Sequence, residues 1–284
     1  MIYFYARTDN RKDLDRLRRS VALAKEFDEV YFMATDFRAA SYAKSLGVKK
    51  AVGIEDFRNI SQVCQRGDVL VFDSDEHLEN DHVHQEMIDY FGRFIRISYD
   101  PEDQRKEGEC LISPYIVGEG VINAILVDAE FFEESSKQIE QLYFWGDADY
   151  EKKLLQLAPV LGEFEFDLLE GLYFFAGYAD ELAPYFKNIY EVDDYYETIK
   201  GSKLVVSANP QTALEATAAG AKVIYMPKSA ENDYHLLLKR LGIFNMGLDP
   251  KKLQEALLSV SSANKGALKK LGCTHAKQQI EKIL

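Results

Sequence analysis

The segment of residues 203–227, KLVVSANPQTALEATAAGAKVIYMP, constrains the fold more than any other part of the chain. It begins with the apolar run of residues 204–206, which is typical of a strand buried on both faces. Asn209, followed by a proline, fits the N-terminal cap of a helix of small residues, and Gly220 fits its end. A second apolar run follows at residues 223–225. The segment therefore predicts a strand–helix–strand unit with two parallel strands.

Short apolar runs alternate with helical patterns along the rest of the chain, in two series. The first series predicts strands at residues 2–6, 30–34, 50–54, 69–73 and 94–98, and helices at residues 14–27, 39–46, 57–64 and 87–91. The second series predicts strands at residues 142–145, 188–192, 204–206 and 223–225, and helices at residues 150–157, 195–199, 210–219, 234–241, 250–260 and 267–284. Residues 100–117 have the composition of a loop, and residues 163–180 fit either a strand or a buried helix.

Two such series in one chain predict an α/β protein of two Rossmann-like lobes that face a cleft. The predicted lobes are residues 1–130 and residues 131–284, the second including the closing helices. Ligands of parallel sheets bind beyond the carboxyl ends of the strands, so we expect the site there.

Composition and charge exclude several classes of function. The chain has 284 residues and a formal net charge of −13, which disfavours DNA and RNA as partners. No apolar run is long enough to cross a bilayer, and the N-terminus has the pattern of a strand rather than a signal peptide. Three widely spaced cysteines suggest neither a disulfide framework nor a zinc site. We therefore expect a cytoplasmic protein without stable membrane insertion.

Several motifs, and the order of the elements, resemble a branch of the GT-B superfamily. SANPQTALEA (residues 207–216) is similar to the uridine-binding segment of the PseG-like and SpsG-like UDP-sugar hydrolases, which are related to the MurG glycosyltransferases. RRSVALAKEF (residues 18–27) resembles the first helix of that family, and VLVFDS (residues 69–74) resembles a strand that ends in an aspartate. YFWGDAD (residues 143–149) resembles the loop that opens the second lobe. The resemblance implies the GT-B fold, UDP or a UDP-linked amino sugar as ligand, and Glu215 as the residue that holds the ribose.

Two loops depart from the family pattern. Where the family has Gly-x-Gly-His, residues 13–16 of this chain read Asp-Leu-Asp-Arg, so the histidine proposed as general base is replaced by Arg16. Arginine does not accept a proton at neutral pH, and we expect Arg16 to neighbour a phosphate instead. The loop of the second lobe carries Asp147 and Asp149, and an acid beside a diphosphate costs about 1 kcal/mol or more of Coulomb energy. These departures predict slow or undetectable hydrolysis.

The candidate nucleotide-binding residues belong to the second lobe. They are Glu215, Asn209, Ala208, Gly146 and, in the segment that replaces an amide pair of the family, Asn232. The alternative role of Asn209 is that of a helix cap, and the helix that it caps would direct free N–H groups at a phosphate. The alternative for Glu215 is a solvated position on the helix surface.

Three acids of the first lobe are candidates for a replacement base: Asp9, Asp73 and Asp75. The last two follow a predicted parallel strand, where catalytic acids often lie, although an acidic surface loop is the alternative. The same run contains three histidines: His77, His82 and His84. Their spacing favours exposure to solvent over a metal site. No cofactor-binding motif occurs, and we predict neither a cofactor nor a metal.

These observations leave three functional hypotheses open. The first is a nucleotide-sugar-binding protein similar to the UDP-sugar hydrolases of nonulosonic (pseudaminic or legionaminic) acid biosynthesis. The second is a MurG-like glycosyltransferase, in which an acceptor hydroxyl replaces water. The third is a non-catalytic relative that binds a nucleotide sugar or a partner protein and regulates. Product formation from UDP-sugars distinguishes the enzymes from the binding protein, and dependence on an acceptor distinguishes the two enzymes.

Overall fold

Mostly apolar strands build two parallel sheets in the computed structural model, which describes residues 1–76, 81–229 and 234–284. The described residues form two units by their internal contacts. The first unit comprises Met1–Asp9, Arg16–Ala129 and Lys270–Leu284, and the second comprises Asn10–Asp15 and Glu130–Lys269. The predicted fold class, α/β with two Rossmann-like lobes, is confirmed. None of the described helices combines the length and hydrophobicity that a bilayer crossing requires.

The sheet of the first unit has the strand order β3-β2-β1-β4-β5-β6-β7. Its strands are β1 (Ile2–Ala6), β2 (Val30–Ala34), β3 (Ala51–Gly53), β4 (Val69–Asp73), β5 (Arg93–Ile97), β6 (Cys110–Ser113) and β7 (Val121–Asn123). Its helices are α1 (Asp15–Ala24), α2 (Phe37–Ser45), α3 (Ile60–Val63), α4 (Asp81–Tyr90) and, far along the chain, α12 (Cys273–Ile283). Parallel pairing places Ala6 beside Asp73 at the carboxyl edge of the sheet.

The sheet of the second unit has the order β10-β9-β8-β11-β12-β13. Its strands are β8 (Ile139–Phe144), β9 (Asp167–Leu169), β10 (Ile189–Tyr190), β11 (Ser202–Ser207), β12 (Lys222–Tyr225) and β13 (Phe244–Asn245). The helices that follow β8 in sequence are α5 (Lys153–Leu161), α6 (Tyr178–Leu182), α7 (Tyr195–Gly201), α8 (Pro210–Ala218), α9 (His235–Leu241), α10 (Leu253–Ser259) and α11 (Lys265–Lys270). The predicted strand–helix–strand segment is β11-α8-β12, and its two strands pair in parallel.

Two short segments of the chain belong to a unit that the sequence did not predict. Residues 270–284, which we expected to close the second lobe, group with the first unit. There the N–H of Ile125 donates to the carbonyl oxygen of Leu271 at 2.7 Å, and Arg93 donates to the carbonyl oxygen of Ile283 at 2.8 Å. Residues 10–15 show the reverse: we expected them in the first lobe, but they group with the second unit.

Part of the predicted loop of residues 100–117 is a strand. β6 is only four residues long and lies within a segment rich in charge, so its apolar run is too short to stand out. Its pairing with β5, in which Ile97 lies beside Ile112, stabilises this strand, although its local sequence does not predict one. Within the ambiguous residues 163–180, Asp167–Leu169 form β9 and the helix begins at Tyr178.

Candidate functional site

The loops that follow β8, β11 and β12 meet at one edge of the second sheet, because these three strands are neighbours and run in parallel. The first loop contains Gly146, the second contains Ala208 and Asn209, and the third contains Lys228. This is the edge at which parallel sheets bind ligands. Residues 10–15 of the same unit pack against it.

Both the backbone conformation at position 146 and the close approach of neighbouring side chains require a glycine there. Its φ is +129°, and a Cβ at this position would lie 2.2 Å from Asp13 Oδ1 and 2.4 Å from Lys228 Nζ. The next residue, Asp147, donates its N–H to Asp13 Oδ1 at 2.8 Å and accepts the N–H of Leu14 at 2.9 Å. Leu14 itself is buried, which fixes the acidic segment on this loop. The absence of a side chain at Gly146 therefore leaves room for the Asp13 carboxylate against the loop.

Lys228 joins this loop to the one after β12. Its ammonium lies 2.8 Å and 2.9 Å from the two carboxylate oxygens of Asp13. The same ammonium lies 5.1 Å from the ring centroid of Trp145, within the range of a cation–π interaction. Sequence reasoning missed Lys228, although a cation in the loop after the last strand of the strand–helix–strand segment was the available signal.

Asn209 is the N-cap of α8, as its position predicted. Its Oδ1 accepts the N–H of Thr212 at 2.7 Å, and its Nδ2 donates to Asp15 Oδ1 at 2.5 Å. Ala208 is buried in the core, and its N–H donates to the carbonyl oxygen of Phe144 at 2.8 Å, which continues the β8–β11 ladder. The backbone donor of Ala208 is therefore used within the sheet.

Glu215 is buried, with 2% of its surface exposed, so it is not the solvated helix position of the alternative interpretation. It accepts the hydroxyl of Tyr195 at 2.5 Å and the side-chain amide of Gln211 at 3.1 Å. The Tyr195 hydroxyl also lies 2.7 Å from Thr212 Oγ1. Tyr195 begins α7 and its ring packs edge-on against Phe144. A tyrosine from another helix therefore covers the carboxylate, which no local pattern in α8 could predict.

Asp149 caps α5. Its carboxylate accepts the N–H groups of Lys153 and Leu154 at 2.9 Å each, and it also accepts the hydroxyl of Tyr178. Burial and this hydrogen bond raise the pKa of Tyr178 above its ordinary value. Asp149 therefore has the role of a helix cap, and its charge is directed at the helix.

A cavity of about 590 Å³ opens beside these residues, entirely within the second unit. Its polar lining includes Lys12, Lys153 and Lys228, and its aromatic lining is Trp145 and Tyr150. Tyr150 is 53% exposed, so its ring is accessible from solvent. Cations beside exposed aromatic surface suit a ligand that combines an anion with a planar ring.

The acids of the first unit are held differently. Asp73 is fully buried and accepts two hydrogen bonds from the Arg19 guanidinium, at 2.6 Å and 2.5 Å, and one from Ser20 Oγ at 3.0 Å. Asp75 accepts from Arg16 at 3.0 Å and 3.2 Å and from Arg7 at 3.0 Å. The hydrogen bond from Arg16 holds the pKa of Asp75 well below its usual range.

These contacts bear on the candidates for a replacement base. A general base works best with a pKa near the operating pH, and the lowered pKa of Asp75 is far from that condition. Both oxygens of the Asp73 carboxylate already accept hydrogen bonds from Arg19. Arg16, which we expected beside a phosphate, directs its guanidinium at Asp75. Asp9 lies in the half-exposed turn after β1.

The histidine run has only in part the exposure that we predicted. His82 on α4 is exposed, but His84 is buried, with its ring edge-on to Phe94 and its Nε2 3.7 Å from Glu109. Residues two apart on a helix point to different sides, which explains the difference. His77 and the candidate Asn232 lie outside the described residues. Among the residues that are described, no cluster of acids, histidines and cysteines could hold a metal ion.

The whole chain is similar in fold to several solved structures. No protein-family model matches the chain, and no curated protein matches it. The chain is similar to the UDP-GlcNAc 2-epimerase of Methanocaldococcus jannaschii, with 12% identity, a TM-score of 0.55 and coverage of 99% of this chain and 98% of that one. It is similar to Alr3699/HepE of Anabaena in complex with UDP, with 10% identity, a TM-score of 0.58 and coverage of 100% and 99%. It is also similar to MurG of Acinetobacter baumannii, with 11% identity, a TM-score of 0.53 and coverage of 97% and 94%. At these identities the similarity concerns the fold, and the chain has the GT-B fold of these proteins.

Proposed function

We propose that this protein binds a nucleotide sugar with UDP as its nucleotide, and that the second unit holds the nucleotide. The resemblance of residues 207–216 to a uridine-binding segment supports the proposal. Structural neighbours support it as well, since HepE was determined with UDP and the epimerase of Neisseria meningitidis with UDP-GlcNAc.

The cavity of the second unit is the observation that carries this proposal. Four basic and three acidic side chains line it, whereas acids outnumber bases by 47 to 34 in the whole chain. Of its cations, Lys228 lies beside the Gly146 turn and the ring of Trp145, and Tyr150 adds a second aromatic ring to the lining. A nucleotide has both the negative charge and the planar ring that these groups recognise.

Calorimetry with UDP tests the proposal directly. We expect saturable binding of UDP, and weaker binding of GDP and ADP, whose larger bases serve as matched controls with the same diphosphate. No heat and no thermal shift at millimolar concentration, with UDP or with a UDP-sugar, would contradict the proposal. The partner-binding hypothesis would then take its place.

The role of Glu215 needs a separate test, because the carboxylate is already bonded to Tyr195. If Glu215 holds the ribose, the ribose hydroxyls have to reach a carboxylate that Tyr195 now covers. Glu215→Gln should then weaken UDP binding about tenfold or more, because charge-assisted hydrogen bonds contribute about 1.5–3 kcal/mol. Tyr195→Phe, which removes only the competing hydroxyl, should keep or strengthen binding. Equal affinity of wild type and Glu215→Gln would make Glu215 a structural partner of Tyr195 alone.

For catalysis, we propose at most slow hydrolysis of a UDP-linked amino sugar. The loss of the family histidine at Arg16 and the arginine pairing of Asp73 and Asp75 support this. A missing base typically costs about 10²–10⁴-fold in rate. Release of UDP from UDP-linked diacetamido sugars should therefore be slow or undetectable, and a rate typical of metabolic enzymes would contradict the proposal. An increase in UDP release that requires an added acceptor would favour a glycosyltransferase instead.

A further inference from the structure

Asp13 occupies the position on the Gly146 turn that an anionic ligand group would take. Its carboxylate accepts the N–H of Asp147 at 2.8 Å and lies 2.8 Å and 2.9 Å from the ammonium of Lys228. A backbone N–H at a glycine turn together with a lysine is the donor set by which proteins commonly recognise a phosphate. In this chain an aspartate already satisfies these donors.

A second carboxylate of the same segment makes a similar contact at the neighbouring loop. Asp15 accepts the side-chain amide of Asn209 at 2.5 Å, beside the N-terminus of α8. Asp13 and Asp15 thus connect the loops after β8, β11 and β12, with Leu14 buried between them. The acids are fixed in place by the fold of this unit.

The other acids that line the cavity are directed elsewhere. Asp149 caps α5, and Glu151, which is 73% exposed, pairs with Lys153 at 2.7 Å. The side chain of Asp13 is 17% exposed and that of Lys228 is 26% exposed, so their pair is open to the cavity but partly shielded from water. Asp13 is therefore the acid whose charge a ligand phosphate at Lys228 would meet.

We propose that Asp13 makes this cavity selective for a singly charged phosphodiester, as in a nucleotide sugar, over the terminal phosphate of a free nucleoside diphosphate. This proposal rests on the proposed function, and it names the residue that sets the charge of the ligand. A terminal phosphate carries between about 1.5 and 2 negative charges at neutral pH, whereas a diester carries one. Repulsion by a nearby carboxylate is therefore greater for the free nucleotide. A site of this kind releases UDP more readily than it releases a UDP-sugar.

Two ligands that differ in this one charge test the proposal: UDP and its β-phosphate methyl ester. In calorimetry we expect the wild-type protein to bind the ester at least as tightly as UDP. Asp13→Asn keeps an acceptor for the Asp147 N–H but removes the charge. We expect it to shift the affinity ratio about tenfold in favour of UDP. Adding Lys228→Gln to Asp13→Asn should abolish that gain.

Glu151→Gln is the matched control, since it removes one negative charge from the same cavity and leaves the Asp13–Lys228 pair intact. An equal shift in this variant, or no shift in Asp13→Asn, would overturn the proposal while leaving UDP binding established. The wild-type measurement does not depend on the folding of any variant, and UDP binding more than about tenfold tighter than the ester would also overturn it. If neither ligand binds to wild type or to Asp13→Asn, both the inference and the proposed function fail.

Discussion

Both units have aspartates at the carboxyl edge of a parallel sheet, but the groups that contact these carboxylates differ between the units. In the first unit, Asp73 and Asp75 face guanidinium groups. In the second unit, Asp13 and Asp15 face a backbone N–H, an amide and a lysine. A bidentate arginine pair occupies both oxygens of a carboxylate, whereas a carboxylate on an anion-binding turn can exchange with a ligand. The same residue type is therefore a fixed structural ion in one unit and a competitor for ligand in the other.

Among these carboxylates, Asp73 should be the most sensitive to the loss of its partner, because it is fully buried. Arg19→Met leaves Asp73 fully buried without its cation, and we expect a loss of about 3–5 kcal/mol in the free energy of unfolding. Chemical denaturation measures it. Arg58→Met is the matched control, because Arg58 pairs with Asp56 at the surface, where water screens the pair and its removal should change the stability much less. Similar losses in the two variants would show that Asp73 does not depend on Arg19.

In the second unit, the turn at Gly146 should be sensitive to any added side chain. Gly146→Ala introduces a Cβ where Asp13 and Lys228 approach and where φ is +129°. We expect it to reduce the free energy of unfolding by about 1–3 kcal/mol and to weaken UDP binding. Gly177→Ala provides the control, since Gly177 also has a positive φ, +81°, but no atom within 4 Å of the added Cβ. Denaturation and calorimetry should show a smaller loss of stability and unchanged binding in the control; equal losses of binding would contradict the role of the turn.

The smallest effect concerns pH. Arg16 lowers the pKa of Asp75, so their pair stabilises the fold above the ordinary pKa of aspartate and loses this contribution as the pH falls below it. Because the side chains are 33% and 55% exposed, the contribution should be less than about 1 kcal/mol. The difference in unfolding free energy between wild type and Arg16→Gln should therefore shrink from about pH 5 to about pH 3. A difference that grows over this interval would show that the sign is wrong.

Local patterns predicted the elements that depend on local physics. The strands Ile2–Ala6, Val30–Ala34 and Val69–Asp73 have the predicted bounds, because each is a short apolar run between polar segments. Asn209 caps its helix as predicted, because a cap contacts residues only two or three positions away. The fold class follows from the repeated alternation of such elements.

Contacts between distant residues could not be predicted in this way. Tyr195 covers Glu215 from another helix, and Lys228 meets Asp13 across more than two hundred residues of sequence. Neither partner has a spacing that identifies the other. The site is therefore less predictable than the sheet, since its chemistry depends on which loops the topology brings together.

The division of the chain between the units has a consequence for the order in which the protein can fold during synthesis. The first unit contains the earliest strands, yet residues 270–284 complete it. At roughly 5–20 residues per second, making residues 130–269 takes on the order of ten seconds, during which Ile125 lacks its partner Leu271. Residues 10–15, by contrast, are made long before the second unit that they join. All residues of the second unit have therefore been synthesised once residue 269 is made, whereas the first unit still lacks residues 270–284.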